Sequence, residues 1–124
     1  MADKPETLSA ANLAYIGDAV YEVIVRRRLI TSPKGTGHPS THALSFVTAA
    51  AQSAALARIE DVLTEEELAV YKRGRNCVHG NVPKSASPVD YRRATGLEAL
   101  MGHLWLSDKF ERACELFDLA FPEE

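Results

Sequence analysis

The sequence predicts a single all-α domain over residues 1–124, with residues 1–8 expected to be disordered. Apolar residues recur at helical spacing in the first predicted helix, and glycine and proline fall in a few places that divide the rest of the chain. Strand signals are nearly absent, because few β-branched residues alternate with polar ones and no Asn-Gly hairpin pair occurs. A length of 124 residues and a hydrophobic fraction of 46% suit one domain with a real core.

The first predicted helix spans residues 9–30, and its apolar residues share one face: Leu13, Ile16, Val20, Val23 and Ile24. Residues 31–39, with the sequence TSPKGTGHP, contain two glycines and two prolines and are predicted to form a loop. A second long helix begins at Pro39 or Ser40 and runs through Ile59. Its alanine-rich surface predicts close packing against a neighbouring helix.

A third helix is predicted from the pair Thr64 and Glu67, which has the spacing of a capping box. We expect this helix to end near Gly74. The remaining elements follow along the chain: a second loop at 76–88, a fourth helix at about 89–106 and a fifth at about 108–120.

Several classes of protein are disfavoured by the composition. No stretch of about 18 apolar residues could span a membrane, and the N-terminus has no apolar signal-peptide region. Cys77 and Cys114 have neither metal-ligand spacing nor the pattern of a disulfide framework. We therefore expect a cytoplasmic protein in a reducing compartment with no membrane partner.

The charge is unevenly distributed along the chain. The net charge is −3, yet residues 72–93 contain one acidic residue, Asp90, and these basic residues: Lys72, Arg73, Arg75, Lys84, Arg92 and Arg93. A basic segment in an acidic protein is typical of a surface that faces an anion. A solvated loop with no function has the same pattern, so charge alone leaves both interpretations open.

Asp18 is the first candidate site residue, because it follows Gly17 inside an apolar stretch of the first helix. A carboxylate in such a stretch is costly to bury unless it is paired or bound to a metal. A glycine in a helix interior costs about 1 kcal/mol relative to alanine, so either a helix junction or a close approach of other atoms is expected. Alternatively, Asp18 is the N-cap of a helix and Gly17 ends a shorter helix before it.

Glu98 repeats this pattern in the fourth helix, where it lies between Leu97 and Leu100. Its helical face is formed mostly by small residues, namely Ala94, Thr95 and Gly102. A carboxylate among small side chains is accessible to a ligand. The alternative is an ordinary amphipathic helix whose polar side happens to include one glutamate.

Two such carboxylates close to a basic segment suggest hydrolysis of a phosphodiester with a bound metal ion. Mg²⁺ commonly takes one or two protein carboxylates and keeps several water molecules. It can activate water and neutralise charge on a phosphate. The residue pattern does not establish that Asp18 and Glu98 meet in space.

The chain resembles ribonuclease III domains, and more narrowly Mini-III, the short bacterial branch without a double-stranded-RNA-binding domain. The resemblance covers nearly the whole chain. It rests on four ordered stretches and on the wider signature helix LAYIGDAVYEVIVRRRLI at 13–30. The four stretches are GDAVYE at 17–22, THALSFVTAAAQSAAL at 41–56, KRGRN at 72–76 and YRRATGLEALMGHLWL at 91–106.

The resemblance implies an all-α endonuclease domain that works as a homodimer and cleaves double-stranded RNA, leaving 5′-phosphate and 3′-hydroxyl ends. Asp18 and Glu98 match the family's catalytic, metal-binding carboxylates, which implies Mg²⁺ as the cofactor and Mn²⁺ as a substitute. Tyr15 matches an aromatic position that packs across the dimer. The expected substrate is precursor ribosomal RNA, including the ends of 23S rRNA, and a ribosomal protein is a candidate partner.

The same resemblance gives the basic segment a role in RNA binding. A-form RNA is recognised mostly through its shape, its phosphates and its 2′-hydroxyls. The candidate phosphate contacts are Lys72, Arg73, Arg75, Lys84 and Arg92. Residues 26–28, three arginines, are expected to form a solvated helix end. For Tyr15, the alternative to a dimer contact is a place in its own subunit's core.

Two positions depart from the larger ribonuclease III enzymes. Those enzymes carry further carboxylates where this chain has Ala14 and Thr95. This difference leaves open how many metal ions bind. It also motivates one alternative function, a catalytically silent dimeric RNA-binding protein of the same fold. A third possibility is an all-α nucleotide pyrophosphohydrolase, for which more acidic residues per site would be expected.

Overall fold

The computed structural model describes residues 5–31, 45–78, 82–84 and 86–123. These residues form no β-strand, which confirms the all-α prediction. The α-helices are α1 (Ala10–Thr31), α2 (Ala49–Ile59), α3 (Glu65–Asn76), α4 (Pro88–Leu106) and α5 (Phe110–Ala120), with short 3₁₀ helices at Pro5–Thr7 and Glu60–Val62. Most of the loop predicted at 31–39 lies outside the described residues.

Helix α4 is the central element, since it packs against α1, α2, α3 and α5. Its buried residues join those of its neighbours in one main apolar cluster, whose large, fully buried members include Tyr21, Leu56, Tyr71, Leu100, Leu104 and Phe117. No helix among the described residues is both long enough and apolar enough to cross a membrane.

The predicted start of the third helix is confirmed. The Glu67 backbone N–H donates to Thr64 Oγ1 over 3.1 Å, and the Thr64 backbone N–H donates to Glu67 Oε1 over 2.9 Å. This reciprocal pair is a complete capping box. Glu67 also receives two hydrogen bonds from Arg112, which ties α3 to α5 and lowers the pKa of the Glu67 carboxyl.

The second helix differs from the prediction, because the chain breaks at Thr48. Residues 45–47 are helical, but Thr48 has an extended backbone (φ −68°, ψ 155°) and α2 begins after it. Thr48 Oγ1 accepts the Ala51 backbone N–H over 3.1 Å and thereby caps the new helix. The expectation of one uninterrupted helix is wrong at this residue, and its predicted start at Pro39 or Ser40 lies outside the described residues.

The N-terminal segment is described from Pro5 onwards, and residues 1–4 lie outside the described part. After the 3₁₀ turn Pro5–Thr7, the partly buried Leu8 packs against a small cluster that contains Leu13 and Val70. The Leu8 carbonyl oxygen accepts a hydrogen bond of 3.0 Å from Arg73 Nη2. Arg73 therefore joins α3 to the segment that precedes α1.

Arg28, at the end of α1, is not part of a fully solvated helix end. Its Nη2 donates to Asp118 Oδ1 over 2.8 Å, and its guanidinium lies 5.0 Å from the centroid of the Phe117 ring. The sequence-based expectation is wrong for this residue, which fastens α1 to α5. Arg26 is exposed, as expected.

Candidate active site

Two glycines allow α1 and α4 to approach each other closely. A Cβ atom added to Gly17 would overlap the Glu98 carbonyl oxygen and lie 2.9 Å from the Gly102 backbone nitrogen. A Cβ atom added to Gly102 would overlap the Leu13 carbonyl oxygen. Of the two alternatives for Gly17, a helix junction or a close approach of other atoms, the structure has the close approach, and the atoms that approach are backbone atoms of α4.

This crossing brings Asp18 and Glu98 together. Asp18 comes directly after Gly17, and Glu98 is the residue whose carbonyl group meets Gly17. The Asp18 side chain is close enough to Glu98 to raise the pKa of the Glu98 carboxyl, through hydrogen bonding and through its negative charge. Asp18 is exposed and Glu98 is half-buried, so the pair lies at the surface of the domain. Asp18 lies well inside α1, so the N-cap alternative is wrong.

Glu98 has an unusual protonation equilibrium. Burial, a hydrogen bond donated by the protonated Glu98 carboxyl to Asp18 and the negative charge of Asp18 raise the pKa of Glu98 to about 8, and a hydrogen bond from Gln52 acts in the opposite direction. A hydrogen bond between two carboxyl groups requires one of them to carry a proton. In the metal-free protein the pair therefore retains a proton near neutral pH.

Gln52, the third member of this group, was not found by sequence reasoning. It lies on α2 and is buried, with 4% of its surface exposed. One signal could have indicated it. Gln52 is spaced three, four and seven residues from Ala55, Leu56 and Ile59, so it is a polar residue on the apolar face of its helix. A buried amide at such a position needs a hydrogen-bond partner.

The two positions that lack carboxylates, Ala14 and Thr95, make contacts within the domain. Ala14 is 7% exposed, and its methyl group belongs to the small apolar cluster with Leu13 and Val70. The Thr95 hydroxyl donates to the Tyr91 carbonyl oxygen over 3.0 Å, within α4. The acidic part of the site thus consists of the Asp18–Glu98 pair.

These groups fit a Mg²⁺ ion that retains part of its water shell. A divalent cation can take the place of the proton that the two carboxyl groups share, and the exposure of Asp18 leaves room for water. The described residues contain no group of three or more His, Cys, Asp or Glu side chains that could hold a metal ion. A cage formed by protein ligands alone is therefore not present in that part of the chain.

The basic end of α3 lies beside Glu98. A Cβ atom added to Gly74 would lie 2.6 Å from the Ala99 Cβ and 2.9 Å from the Gly96 Cα, so residues 72–76 pack against the turn of α4 that contains Glu98. Among the predicted phosphate contacts, the exposed side chains are Lys72, Arg73, Lys84 and Arg92. Their contact with RNA stays a prediction.

Two arginines of this segment already have intramolecular partners. Arg73 donates to the Leu8 carbonyl oxygen. Arg75 is half-buried, its Nε donates to Asn76 Oδ1 over 3.3 Å, and its guanidinium lies 5.7 Å from the centroid of the Tyr71 ring. Lys72 is therefore the clearer candidate on α3 for a contact made only with a ligand.

Tyr15 is 85% exposed, so it does not fill the core of its own subunit. It lies on α1 one turn before Asp18, together with the exposed residues Ala11, Ala19 and Val23 at intervals of four. An exposed aromatic side chain in a row of small and apolar residues is typical of a contact surface. The second chain of the expected dimer stays a prediction.

The raised pKa of Glu98 predicts how stability of the metal-free protein depends on pH. Between about pH 4.5 and 8, the folded protein retains a proton on Glu98 that the unfolded chain releases, so the contribution of Glu98 to stability is greatest below pH 4.5 and falls as the pH rises towards 8. Glu98→Gln removes this pH-dependent contribution, because glutamine does not titrate. We expect the free energy of unfolding of the variant to exceed that of the wild type by on the order of 1–2 kcal/mol at pH 8 and to match it near pH 5.

Urea unfolding in the presence of EDTA at pH 5, 6.5 and 8 measures this difference. Glu115→Gln is the matched control, because Glu115 is an exposed glutamate on α5 that pairs with Arg112 outside the site. Parallel stability curves for wild type and Glu98→Gln across this range would contradict the assignment of a retained proton to Glu98.

Comparison with known proteins places these observations in a family. The model of the ribonuclease III domain matches residues 11–109, a stretch that contains both Asp18 and Glu98. Mini-ribonuclease 3 of Symbiobacterium thermophilum is 44% identical over 119 residues, covering 94% of this chain and 90% of that protein. Mini-ribonuclease 3 of Brevibacillus brevis is 43% identical over 120 residues, covering 94% and 88%.

The fold also has a counterpart among solved structures. A crystal structure of a protein from Fusobacterium nucleatum matches this chain with a TM-score of 0.82. The match covers 94% of both chains at 27% sequence identity. The helical arrangement around α4 is therefore similar to one that has been observed by crystallography.

Proposed function

Because this chain belongs to the ribonuclease III domain family, shown by the match over residues 11–109, and is an endoribonuclease, we propose that it cleaves double-stranded RNA with bound Mg²⁺. The observation that carries the proposal is the hydrogen-bonded contact between Asp18 and Glu98 at the domain surface. In the absence of a cation the pair holds a proton. When a cation binds, the pair offers it two negatively charged oxygen ligands beside the basic end of α3. The retained pair argues against a catalytically silent RNA-binding protein.

In this mechanism the chain's own residues bind, orient and exchange a proton. Asp18 and Glu98 would release their proton to the solvent and hold the ion through their carboxylate oxygens. A bound Mg²⁺ would neutralise charge at the scissile phosphate and lower the pKa of water, which would make hydrolysis at neutral pH feasible. Lys72, at the adjacent end of α3, attracts the neighbouring phosphates of the duplex. Hydrolysis then leaves a 5′-phosphate and a 3′-hydroxyl.

The RNA that we propose as the substrate is precursor ribosomal RNA, including the ends of 23S rRNA, with a ribosomal protein as a candidate helper. This proposal is supported by the resemblance of the four sequence stretches to Mini-III. The cytoplasm is the proposed location, in keeping with the free thiols of Cys77 and Cys114.

Cleavage of a labelled RNA duplex, with Mg²⁺ and with EDTA, tests the function. We expect cutting of the duplex only in the presence of Mg²⁺ or Mn²⁺, and no cutting of a single strand of the same sequence. A DNA duplex and a nucleoside triphosphate are the controls for other phosphate esters. Cleavage that persists in EDTA, or hydrolysis of the triphosphate in place of the duplex, would refute the proposal.

We further propose that two chains pair through the exposed face of α1. A single 124-residue domain contacts only a short duplex, whereas two copies related by a twofold axis double the phosphate contacts. The exposed row that contains Tyr15 adjoins Asp18, so pairing there would place each site beside the subunit boundary.

Tyr15→Glu is expected to produce helical monomers that bind duplex RNA weakly and lose most cleavage. A charge introduced on this face would have to be desolvated in the dimer, whereas it costs little in a monomer because Tyr15 is already exposed. Sedimentation reports the mass and circular dichroism reports the helices. Glu22→Gln, on the same helix, is a control for a mild polar change. A wild-type monomer that cuts both strands efficiently would refute the twofold arrangement.

Lys72→Ala and Arg73→Ala are expected to differ in their effects. The loss of Lys72 should weaken binding equally across duplex sequences and lower the slope of log K against log salt by about 1. Arg73→Ala should also lower the melting temperature, because Arg73 holds the Leu8 carbonyl. RNA binding by both variants is measured by fluorescence anisotropy in EDTA, which prevents cutting. The control is Lys109→Ala, in the turn between α4 and α5. A salt slope unchanged by Lys72→Ala would remove Lys72 from the RNA contact.

A further inference from the structure

Negative charge is concentrated at one end of the domain. Residues 60–67 and 108–115, together called the acidic end, contain eight acidic and two basic residues, which give a net charge of −6. We propose that the acidic end repels duplex RNA and thereby determines the direction in which a duplex crosses the Asp18–Glu98 pair. The inference rests on the proposed function and assigns a role in substrate orientation to residues that the chemistry does not use.

Packing brings the two acidic stretches together, although they are distant in sequence. Arg112 Nε donates to Glu67 Oε2 over 2.9 Å, and Arg112 Nη2 donates to the Val62 carbonyl oxygen over 2.9 Å. Glu65 and Lys109 line the same cavity between the start of α3 and the turn that follows α4. The carboxylates of both stretches therefore belong to one surface.

Helix α3 runs antiparallel to α4, which separates the acidic end from the basic end of α3. His103 Nε2 lies 3.0 Å from Glu66 Oε1, so α3 begins beside the C-terminal part of α4. Gly74 packs against Gly96, so α3 ends beside the N-terminal part of α4. Glu98 is closer in sequence to Gly96 than to His103. The Asp18–Glu98 pair therefore lies nearer to the basic end of α3 than to the acidic end.

The acidic end is too far from Glu98 to disturb a phosphate bound there. Asp108 follows Glu98 by ten residues, which corresponds to about 15 Å at the rise of an α-helix. Salt at physiological concentration screens charges over about 8 Å, so about two screening lengths separate this phosphate from Asp108. A duplex that ran along α4 towards its C-terminus would instead bring many phosphates within one screening length of the acidic end.

Two orientations of a duplex at the site therefore differ in free energy. A duplex that crosses α4 and passes the basic end of α3 meets the exposed side chains of Lys72 and Arg92. A duplex turned along α4 loses these attractive contacts and meets carboxylates. The acidic end thus disfavours a bound state that holds RNA without aligning it for cleavage.

The double variant Glu65→Gln/Glu111→Gln tests this role. Both side chains are exposed, and neither forms an ion pair with another described residue. Two changes are combined because one exposed charge contributes little, and together we expect roughly threefold tighter binding of duplex RNA. The additional complexes should be non-productive. The maximal single-turnover rate and the protein concentration at half-maximal rate should therefore fall by the same factor, so that their ratio stays at the wild-type value.

Asp118→Asn/Glu123→Gln is the matched control, because it changes the net charge equally but outside the acidic end, where both carboxylates pair with Arg28. This control should keep wild-type values for the rate and for the half-saturating concentration. Tighter binding by Glu65→Gln/Glu111→Gln without a loss of maximal rate would overturn the inference. A difference from the wild type no larger than that of the control would overturn it as well.

A second measurement locates the duplex without cleavage. In EDTA, addition of an RNA duplex to ¹⁵N-labelled wild type should shift the backbone amide resonances of residues 72–76 and leave those of residues 108–115 in place. In Glu65→Gln/Glu111→Gln, both groups of resonances should shift. Equal shifts of both groups in the wild type would overturn the inference. A wild type that shifts as expected but cuts no RNA with Mg²⁺ would refute the proposed function alone, whereas no shift in either group would refute both.

Discussion

Replacing Asp18 by Asn is expected to abolish RNA cleavage while the helical fold remains intact. Asn has the same shape and can still hydrogen-bond to Glu98, so the α1–α4 crossing is not disturbed. It cannot supply the negative oxygen that a cation needs. Since charge stabilisation by a bound ion contributes several kcal/mol to the transition state, we expect kcat to fall by on the order of 10³-fold. Single-turnover cleavage of a labelled duplex measures this loss.

Asp108→Asn is the matched control for this experiment. Asp108 is an exposed aspartate in the turn between α4 and α5, with a φ of 60° that asparagine also tolerates. Asp108→Asn also removes one negative charge, but beyond the C-terminal end of α4 and ten residues after Glu98. This variant should cut RNA at the wild-type rate. Substantial cleavage by purified, folded Asp18→Asn would remove Asp18 from the catalytic site.

Thermal melting adds a test of Asp18 that does not depend on activity. A ligand that binds only the folded state stabilises it by mass action. Mg²⁺ should therefore raise the melting temperature of the wild type and of Asp108→Asn, and raise that of Asp18→Asn much less. Equal shifts in all three proteins would place the ion elsewhere on the surface.

The helices were largely predictable because their signals are local. The Thr64–Glu67 capping box acts within one turn, and the structure contains both of its hydrogen bonds. The break at Thr48 was missed for a related reason. The alanines that follow Thr48 favour a continuous helix. Only the cap on the Ala51 N–H, together with the Tyr21 contact at Phe46, favours the interruption.

The site was predictable only in part, because its members come from three helices. Gly17 indicated that other atoms approach α1, but helix propensity could not distinguish a close approach from a helix junction. The meeting of Asp18 with Glu98 depends on how α1 crosses α4, which no spacing along the chain specifies. The resemblance to ribonuclease III domains implied both carboxylates. Gln52 became apparent only from its contact with Glu98.

Gly17→Ala is expected to damage both the fold and the site, although alanine is the better helix former. The added methyl group would overlap the carbonyl oxygen of Glu98, and backbone of a central helix cannot move aside as a flexible side chain could. Overpacking of this kind costs about 1–3 kcal/mol or more, which exceeds the gain of about 1 kcal/mol in helix propensity. We expect the net loss to be about 2 kcal/mol and the melting temperature to fall by roughly 5–10 °C.

Gly17→Ala should also impair RNA cleavage at temperatures at which the variant is still folded. If α1 and α4 separate to admit the methyl group, Asp18 moves away from Glu98, and a shift of about 1 Å in a catalytic group can cost roughly 100-fold in rate. We therefore expect folded Gly17→Ala to bind Mg²⁺ weakly and to cut RNA slowly at a temperature well below its melting point. Ala57→Gly, on α2, is the control, since it loses about 1 kcal/mol of helix propensity at an exposed position outside the α1–α4 crossing and outside the exposed row of α1. A Gly17→Ala protein as stable and as active as the wild type would show that the close contact of α1 with α4 does not hold the two carboxylates together.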